Sequence, residues 1–154
     1  EVIAKVLREF QGVEHRIELC NEIDGIRFVN DSKGTNPDAA IRAIEAMKRD
    51  IILIAGGYDK GASFDEFVNA FDGKVKALVL LGKTATKIKE AAEKAGFTNT
   101  VILKDMEACV REAYRLAESG DVVLLSPACA SWDMYTSFEQ RGEHFKACVR
   151  ELER

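Results

Sequence analysis

Val122-Val123-Leu124-Leu125-Ser126-Pro127-Ala128-Cys129-Ala130-Ser131-Trp132-Asp133 passes from consecutive apolar residues into a cluster of small and hydroxyl-bearing ones. The apolar run predicts a strand covered on both faces, as in a parallel sheet. The loop then sits at the strand's carboxyl end, where open α/β sheets bind ligands. Phe138-Glu139-Gln140-Arg141-Gly142 follows and opens a helical pattern over residues 138–152. Two other stretches repeat this arrangement. A strand over 26–30 runs into Asn30-Asp31-Ser32-Lys33-Gly34-Thr35-Asn36-Pro37, and a strand over 51–55 runs into Gly56-Gly57-Tyr58-Asp59-Lys60-Gly61.

The rest of the chain alternates in the same way. Residues 2–10 read as a short helix, with Val2, Ile3, Val6, Leu7 and Phe10 at helical spacing and Gly12 as its stop. Residues 16–23 and 26–30 read as strands joined at Asp24-Gly25, a hairpin signal. Pro37 opens a helix to about Lys48, at the position where proline is favoured. A helix is predicted over 63–71 with Ser63 as N-cap and Glu66 three residues on. Strands follow over 77–81 and 100–103, and helices over 84–95, ended by Gly96, and 106–119. The expected fold is α/β: a Rossmann-like, mostly parallel sheet with helices on both faces and an N-terminal β-hairpin adding an antiparallel strand. Residues 1–154 read as one domain, without internal repeats.

The chain has 154 residues, 47% hydrophobic and 31% charged, with a net charge of −4. That charge gives no electrostatic footprint for nucleic acid or an anionic membrane. No apolar run approaches the roughly 20 residues that cross a bilayer. Cys20, Cys109, Cys129 and Cys148 form no C-x-x-C pair and fit no zinc spacing. They read as reduced core thiols, which favours the cytoplasm. The first residue is Glu1, so a fragment of a longer protein is expected.

The loop 30–37 offers a carboxylate, an ammonium, hydroxyls and amides just before a helix N-terminus, whose free N–H groups favour anions. A turn with an N-cap accounts equally for its Asn, Asp, Ser and Gly, though it does not require Lys33. In 56–61, paired glycines allow close backbone approach and Lys60 adds a mobile charge. A strand-to-helix turn with a solvated lysine is the plain alternative. Leu81-Gly82-Lys83-Thr84 ends like a phosphate loop, but the glycine needed five residues before Gly82 is Ala77. His15 and His144 have no nucleophile elbow nearby and are expected in structural or surface roles. Arg16 and Arg141 are expected at the surface. Together the three loops suit binding of an anionic small molecule, without an evident general base.

These three loops, in this order and with Ser126 to Asp133 and Phe138 to Gly142 as the most specific part, resemble the C-terminal domain of the Mur ligases. The match is to the D-glutamate-adding branch of that family, and it covers nearly the whole chain. Sister ligases carry a histidine-containing Asp-Tyr-Ala-His type loop in place of 30–37, and the Asp-Asn-Pro-Arg motif of the diamino-acid ligases is missing. The resemblance implies peptidoglycan synthesis. ATP phosphorylates the carboxylate of UDP-N-acetylmuramoyl-L-alanine, and D-glutamate attacks the acyl phosphate. By matching position, Thr35, Lys60, Ser131, Trp132 and Phe138 are implied to contact D-glutamate. Arg16 and Asp31 are implied to reach ATP near the ribose, with Lys33 by the phosphates or the incoming glutamate; Lys33 and Lys60 are the implied catalytic residues. ATP and Mg2+ would be held mainly by a central ATPase domain, and UDP by an N-terminal domain. Both lie outside this chain, which alone is expected to be inactive. A monomer that closes about a hinge before Val2 is implied. Two alternatives stay open: a related amide ligase with another acceptor, as in folylpolyglutamate synthesis, and a stand-alone flavodoxin-like anion-binding module.

Overall fold

A computed structural model describes residues 14–58 and 60–153; the helix expected over 2–10 lies outside the described residues. In chain order the elements are β1 (Glu18–Ile23), β2 (Ile26–Asn30), α1 (Pro37–Ala46), β3 (Ile51–Ala55), α2 (Asp65–Asn69), β4 (Val75–Leu80), α3 (Ala85–Lys94), β5 (Thr100–Ile102), α4 (Met106–Leu116), β6 (Val122–Leu125) and α5 (Phe138–Glu151). The strands form one sheet in the order β1-β2-β6-β3-β4-β5. Only the β1–β2 pair is antiparallel. This is the expected mixed α/β sheet.

Burial follows strand position. β3 and β6 are neighbours and are buried at every residue. The edge strands β1 and β5 are only half-buried, and β5 has three residues. One sheet face, with Val29, Leu53, Leu78 and Leu124, packs on Ala40, Ile44, Phe67 and Ile88 of α1, α2 and α3. The alternate residues, Phe28, Ile54, Val79 and Val123, pack on Met106, Val110, Phe145 and Val149 of α4 and α5. This is the period-two alternation of a strand covered on both sides.

Local chemistry sets the element ends. Asp24 and Gly25 both take positive φ, 54° and 78°, as a tight hairpin turn with the twist of its strands requires. Asn36 caps α1 by accepting from the Ala39 N–H at 2.9 Å, with Pro37 in the first turn. Several boundaries are corrected. β1 begins at Glu18 rather than at 16, because His15 and Ile17 have φ of 68° and 46° and cannot sit in a strand. α2 is shorter than 63–71. Phe64 rather than Ser63 is its N-cap residue, although the Ser63 hydroxyl accepts from the Asp65 N–H at 3.3 Å. Its far end gives way to the Asp72-Gly73 turn, where both residues have positive φ. α4 stops at Leu116, because Ala117 turns to an extended backbone with ψ of 151° and the Glu118 N–H donates to Asp121 Oδ2 at 2.8 Å. β4 starts at Val75, two residues early, paired with Ile51.

Candidate functional site

The chain leaves β2 for α1 and enters β3, and β6, the last strand in sequence, is inserted between β2 and β3. The loops after β2, β6 and β3 therefore emerge side by side, at the switch point where such sheets bind ligands. Backbone hydrogen bonds zip the loops together. Asp31 N–H donates to Leu125 O at 2.7 Å, Ala128 N–H to Gly34 O at 2.9 Å, Gly56 N–H to Pro127 O at 3.0 Å and Tyr58 N–H to Ala130 O at 2.7 Å. Gly57 is needed for this approach: its φ is 149°, and a Cβ there would lie 2.4 Å from Ala130 O.

Arg141, expected at the surface, is instead 3% exposed and forms the centre of the loop cluster. Its Nε donates to Ser32 Oγ at 2.9 Å, Nη2 to Ser32 O at 2.7 Å and Nη1 to Cys129 O at 3.0 Å. Ser32 Oγ in turn donates to Phe138 O at 2.7 Å. One guanidinium thus joins the loop after β2, the loop after β6 and the first turn of α5. Burial pulls its pKa down to about 10, which leaves it charged at neutral pH. The sequence did carry a signal: Arg141 lies four and seven residues before Phe145 and Cys148, on the buried stripe of α5.

Asp31 is buried at 3% exposure, with both carboxylate oxygens engaged. Oδ1 accepts from the Ile17 N–H at 3.1 Å and Oδ2 from Ser126 Oγ at 2.7 Å. Burial pushes its pKa up to about 6, outweighing the opposing pull of these donors and of Arg16 and Arg141. Arg16 itself is exposed, on the segment that Asp31 anchors. Lys33 is exposed too, and its N–H donates to His15 O at 2.9 Å. His15 is structural, as expected, but buried: its Nδ1 lies 2.8 Å from Asn30 Nδ2, and its ring meets Phe138 edge-on at 6.2 Å.

The other expected residues fall into a second group. Thr35 and Lys60 line one small depression with Asn36, Pro37, Tyr58, Ala62, Phe64, Ala128 and Cys129. Its volume is only about 30 Å³, room for water but not for an amino acid, so it is one wall of a site rather than a closed pocket. Trp132 is 63% exposed, meets the Tyr58 ring at a tilt of 50° and 5.6 Å, and carries the Lys60 ammonium 5.9 Å from its ring centre. Ser131 is buried beside it, and its carbonyl accepts from the N–H groups of Met134 and Tyr135. Phe138 lies apart from this depression, on the His15 side. The Gly82-Lys83-Thr84 segment is a brace: Thr84 donates its N–H and hydroxyl to Gly57 O, and Asp133 Oδ2 accepts from the Lys83 N–H at 3.1 Å.

Cys109, Cys129 and Cys148 are buried, and none of the four cysteines is in a disulfide. Burial pushes Cys20 and Cys109 up to about 12 and Cys148 to about 11, so these stay protonated and inert. Among the described residues, the one group with metal-ligand spacing is Glu14, His15 and Glu143. It does not fit Mg2+: the Lys146 ammonium already sits 2.9 Å from Glu14 and 3.2 Å from Glu143, and a magnesium site calls for an octahedron of oxygens. No helix among the described residues is long and apolar enough to cross a membrane.

Residues 15–129 match the family model described as Mur ligase, glutamate ligase domain. The chain is 59% identical over 156 aligned positions to the UDP-N-acetylmuramoylalanine--D-glutamate ligase of Thermoanaerobacter sp. (strain X514), covering all of this chain and 34% of that protein. The protein of the same name from Clostridioides difficile is 56% identical, with 99% and 34% covered. The chain thus spans about a third of the length of the curated relatives it matches. A UDP-N-acetylmuramate-alanine ligase from Thermotoga maritima shares the fold with a TM-score of 0.66 at 15% identity, over 96% of this chain and 33% of that one. A bifunctional folylpolyglutamate synthase/dihydrofolate synthase from Yersinia pestis does so with a TM-score of 0.61 at 16% identity, over 93% and 32%. The extent of the family match makes the conclusion plain: the chain belongs to the Mur ligases, as their glutamate ligase domain.

Proposed function

We propose that this chain is the D-glutamate-accepting domain of an ATP-dependent ligase that extends UDP-N-acetylmuramoyl-L-alanine in peptidoglycan synthesis. The observation that carries the reading is the meeting of Thr35, Lys60 and the Ala128–Cys129 bend in one open wall at the sheet's switch point. The names of the relatives at 59% and 56% identity support the acceptor. D-Glutamate brings two carboxylates and an amine. The Lys60 ammonium and the Thr35 hydroxyl are suitable carboxylate partners, Ser131 and Trp132 border them, and Phe138, apart from them on the His15 side, would approach the ligand from the α5 end of the loop cluster. The other two walls, ATP and Mg2+ would come from a central domain and the UDP pocket from an N-terminal one. The enzyme would work as a monomer in the cytoplasm, a compartment that suits four cysteines outside any disulfide.

In this reading the muramoyl-alanine carboxylate takes the γ-phosphoryl group of ATP and ADP leaves. The D-glutamate nitrogen then forms a bond to the acyl carbon, inorganic phosphate departs with the C–O bond electrons, and the nitrogen loses a proton. The chain's part is to hold the amine in line and to keep water from the acyl phosphate. Lys33, exposed at the end of β2, would face the phosphates or the incoming glutamate. Arg16 would face the nucleotide near the ribose, on a segment that Asp31 holds in place.

The test is Lys60→Ala in the intact ligase. The expected result is a fall in kcat/KM for D-glutamate of about ten- to a hundredfold, as for loss of a charge-assisted contact made to the substrate, with an unchanged melting temperature. Near-normal turnover of that variant would overturn the acceptor reading.

A further inference from the structure

We infer that Trp132 is a positioning residue that holds the Lys60 ammonium at the acceptor wall. The inference rests on the D-glutamate reading and deepens it. Lys60 lies between β3 and α2, outside any helix or strand, and is exposed. A lysine so placed has a long, freely rotating stem, and its charge would be spread over a wide volume of water. The Trp132 ring is what localises it, with Nζ 5.9 Å from the ring centre, within cation–π range.

The ring is firmly mounted. Ser131 before it is 2% exposed, and the Ser131 carbonyl accepts from the N–H groups of Met134 at 3.2 Å and Tyr135 at 2.9 Å. Asp133 after it is tied to the Lys83 N–H at 3.1 Å. Tyr58 supports the ring at 5.6 Å and is itself fixed by its N–H to Ala130 O at 2.7 Å. The lysine's loop and the tryptophan's loop are therefore joined twice, once through backbone and once through the side chains of Tyr58, Trp132 and Lys60. A residue with 63% of its surface open to water is mounted on a rigid base, a costly placement for an indole that only fills space. Its contacts hold the ammonium that meets a carboxylate.

The test is a double-mutant cycle in the intact ligase, read as kcat/KM with radiolabelled D-glutamate so that weak variants stay measurable. Trp132→Leu is expected to lower kcat/KM about tenfold, mostly through KM, the order of one cation–π contact that becomes partly desolvated when ligand binds. Trp132→Phe, which keeps an aromatic face, should restore most of the loss. In a Lys60→Met background, Trp132→Leu should cost less than about twofold, because the group it positions is gone. Equal losses in both backgrounds would overturn the inference and make Trp132 an independent contact; so would an unchanged Trp132→Leu enzyme. Should Trp132→Leu lower the melting temperature, the Phe variant decides, since a filler role would not separate it from Leu by its dependence on Lys60. If Lys60→Met alone proves harmless, the acceptor reading itself fails. If Lys60→Met cripples ligation while Trp132→Leu does not, only the positioning role fails.

Discussion

Arg141→Ala removes the guanidinium that ties Ser32 to Cys129. Its cost follows from the geometry. Three hydrogen bonds from a charged donor are lost, at 2.9, 2.7 and 3.0 Å, each worth about 1.5–3 kcal/mol, or about 5–9 kcal/mol together. Against this stands the cost of keeping the charge out of water. Burial brings the pKa down to about 10, and at about 1.4 kcal/mol per pH unit this opposes folding by about 3 kcal/mol. The net loss in Arg141→Ala is therefore about 2–6 kcal/mol, which for a chain of this size lowers the melting temperature by roughly 5–20 °C. Arg141→Lys should recover less than half of that loss, since one ammonium cannot serve three acceptors arranged as a fork. Thermal and urea unfolding at pH 7 provide the measurement. A loss below about 1 kcal/mol in Arg141→Ala would show that desolvation cancels the hydrogen bonds, and the reasoning that makes Arg141 the clamp would be refuted.

Asp31→Asn should alter the pH dependence of stability. The folded pKa of about 6 lies above the ordinary carboxyl value, so folding takes up a proton in this range. The stability from Asp31 is complete below about pH 4 and is lost as the pH rises through 6, an amount of about 3 kcal/mol. Stability curves of the parent and Asp31→Asn should therefore diverge between pH 4 and 7, in favour of the variant at the upper end; parallel curves would count against the burial argument. Gly56→Ala should cost at least about 3 kcal/mol, because its Cβ would lie 1.9 Å from the Leu81 carbonyl oxygen at a φ of 122°. A parent-like urea midpoint for that variant would contradict the close packing of the β3 and β4 ends. Lys60→Ala and the Trp132 cycle complete the set, and they probe the acceptor wall rather than its scaffold.

Much of the scaffold can be read from local pattern. The all-apolar runs of β3 and β6 require cover on both faces, and Asp24-Gly25 supports the positive φ of a tight turn. Asn36-Pro37 carries its own capping chemistry. These signals depend on a few adjacent residues, so no knowledge of the rest of the chain is needed. The three polar loops are legible because polar clusters interrupt apolar strands, whereas Thr35, Lys60 and Ser131 as acceptor contacts rest on the resemblance. The tertiary structure alone decided the strand order that sets β6 between β2 and β3 and so brings those loops together. It also decided which polar residues are buried. Arg141 and Asp31 look like surface groups by type, and only the backbone carbonyls and hydroxyls that converge on them from distant segments make their burial affordable. Trp132 next to Lys60 belongs to the same class, being 72 positions away in sequence and in ring contact in space. The physical reason is the range of the forces: propensity and hydrophobic period act within a turn or two, whereas satisfying a buried charge needs partners that only the assembled sheet supplies.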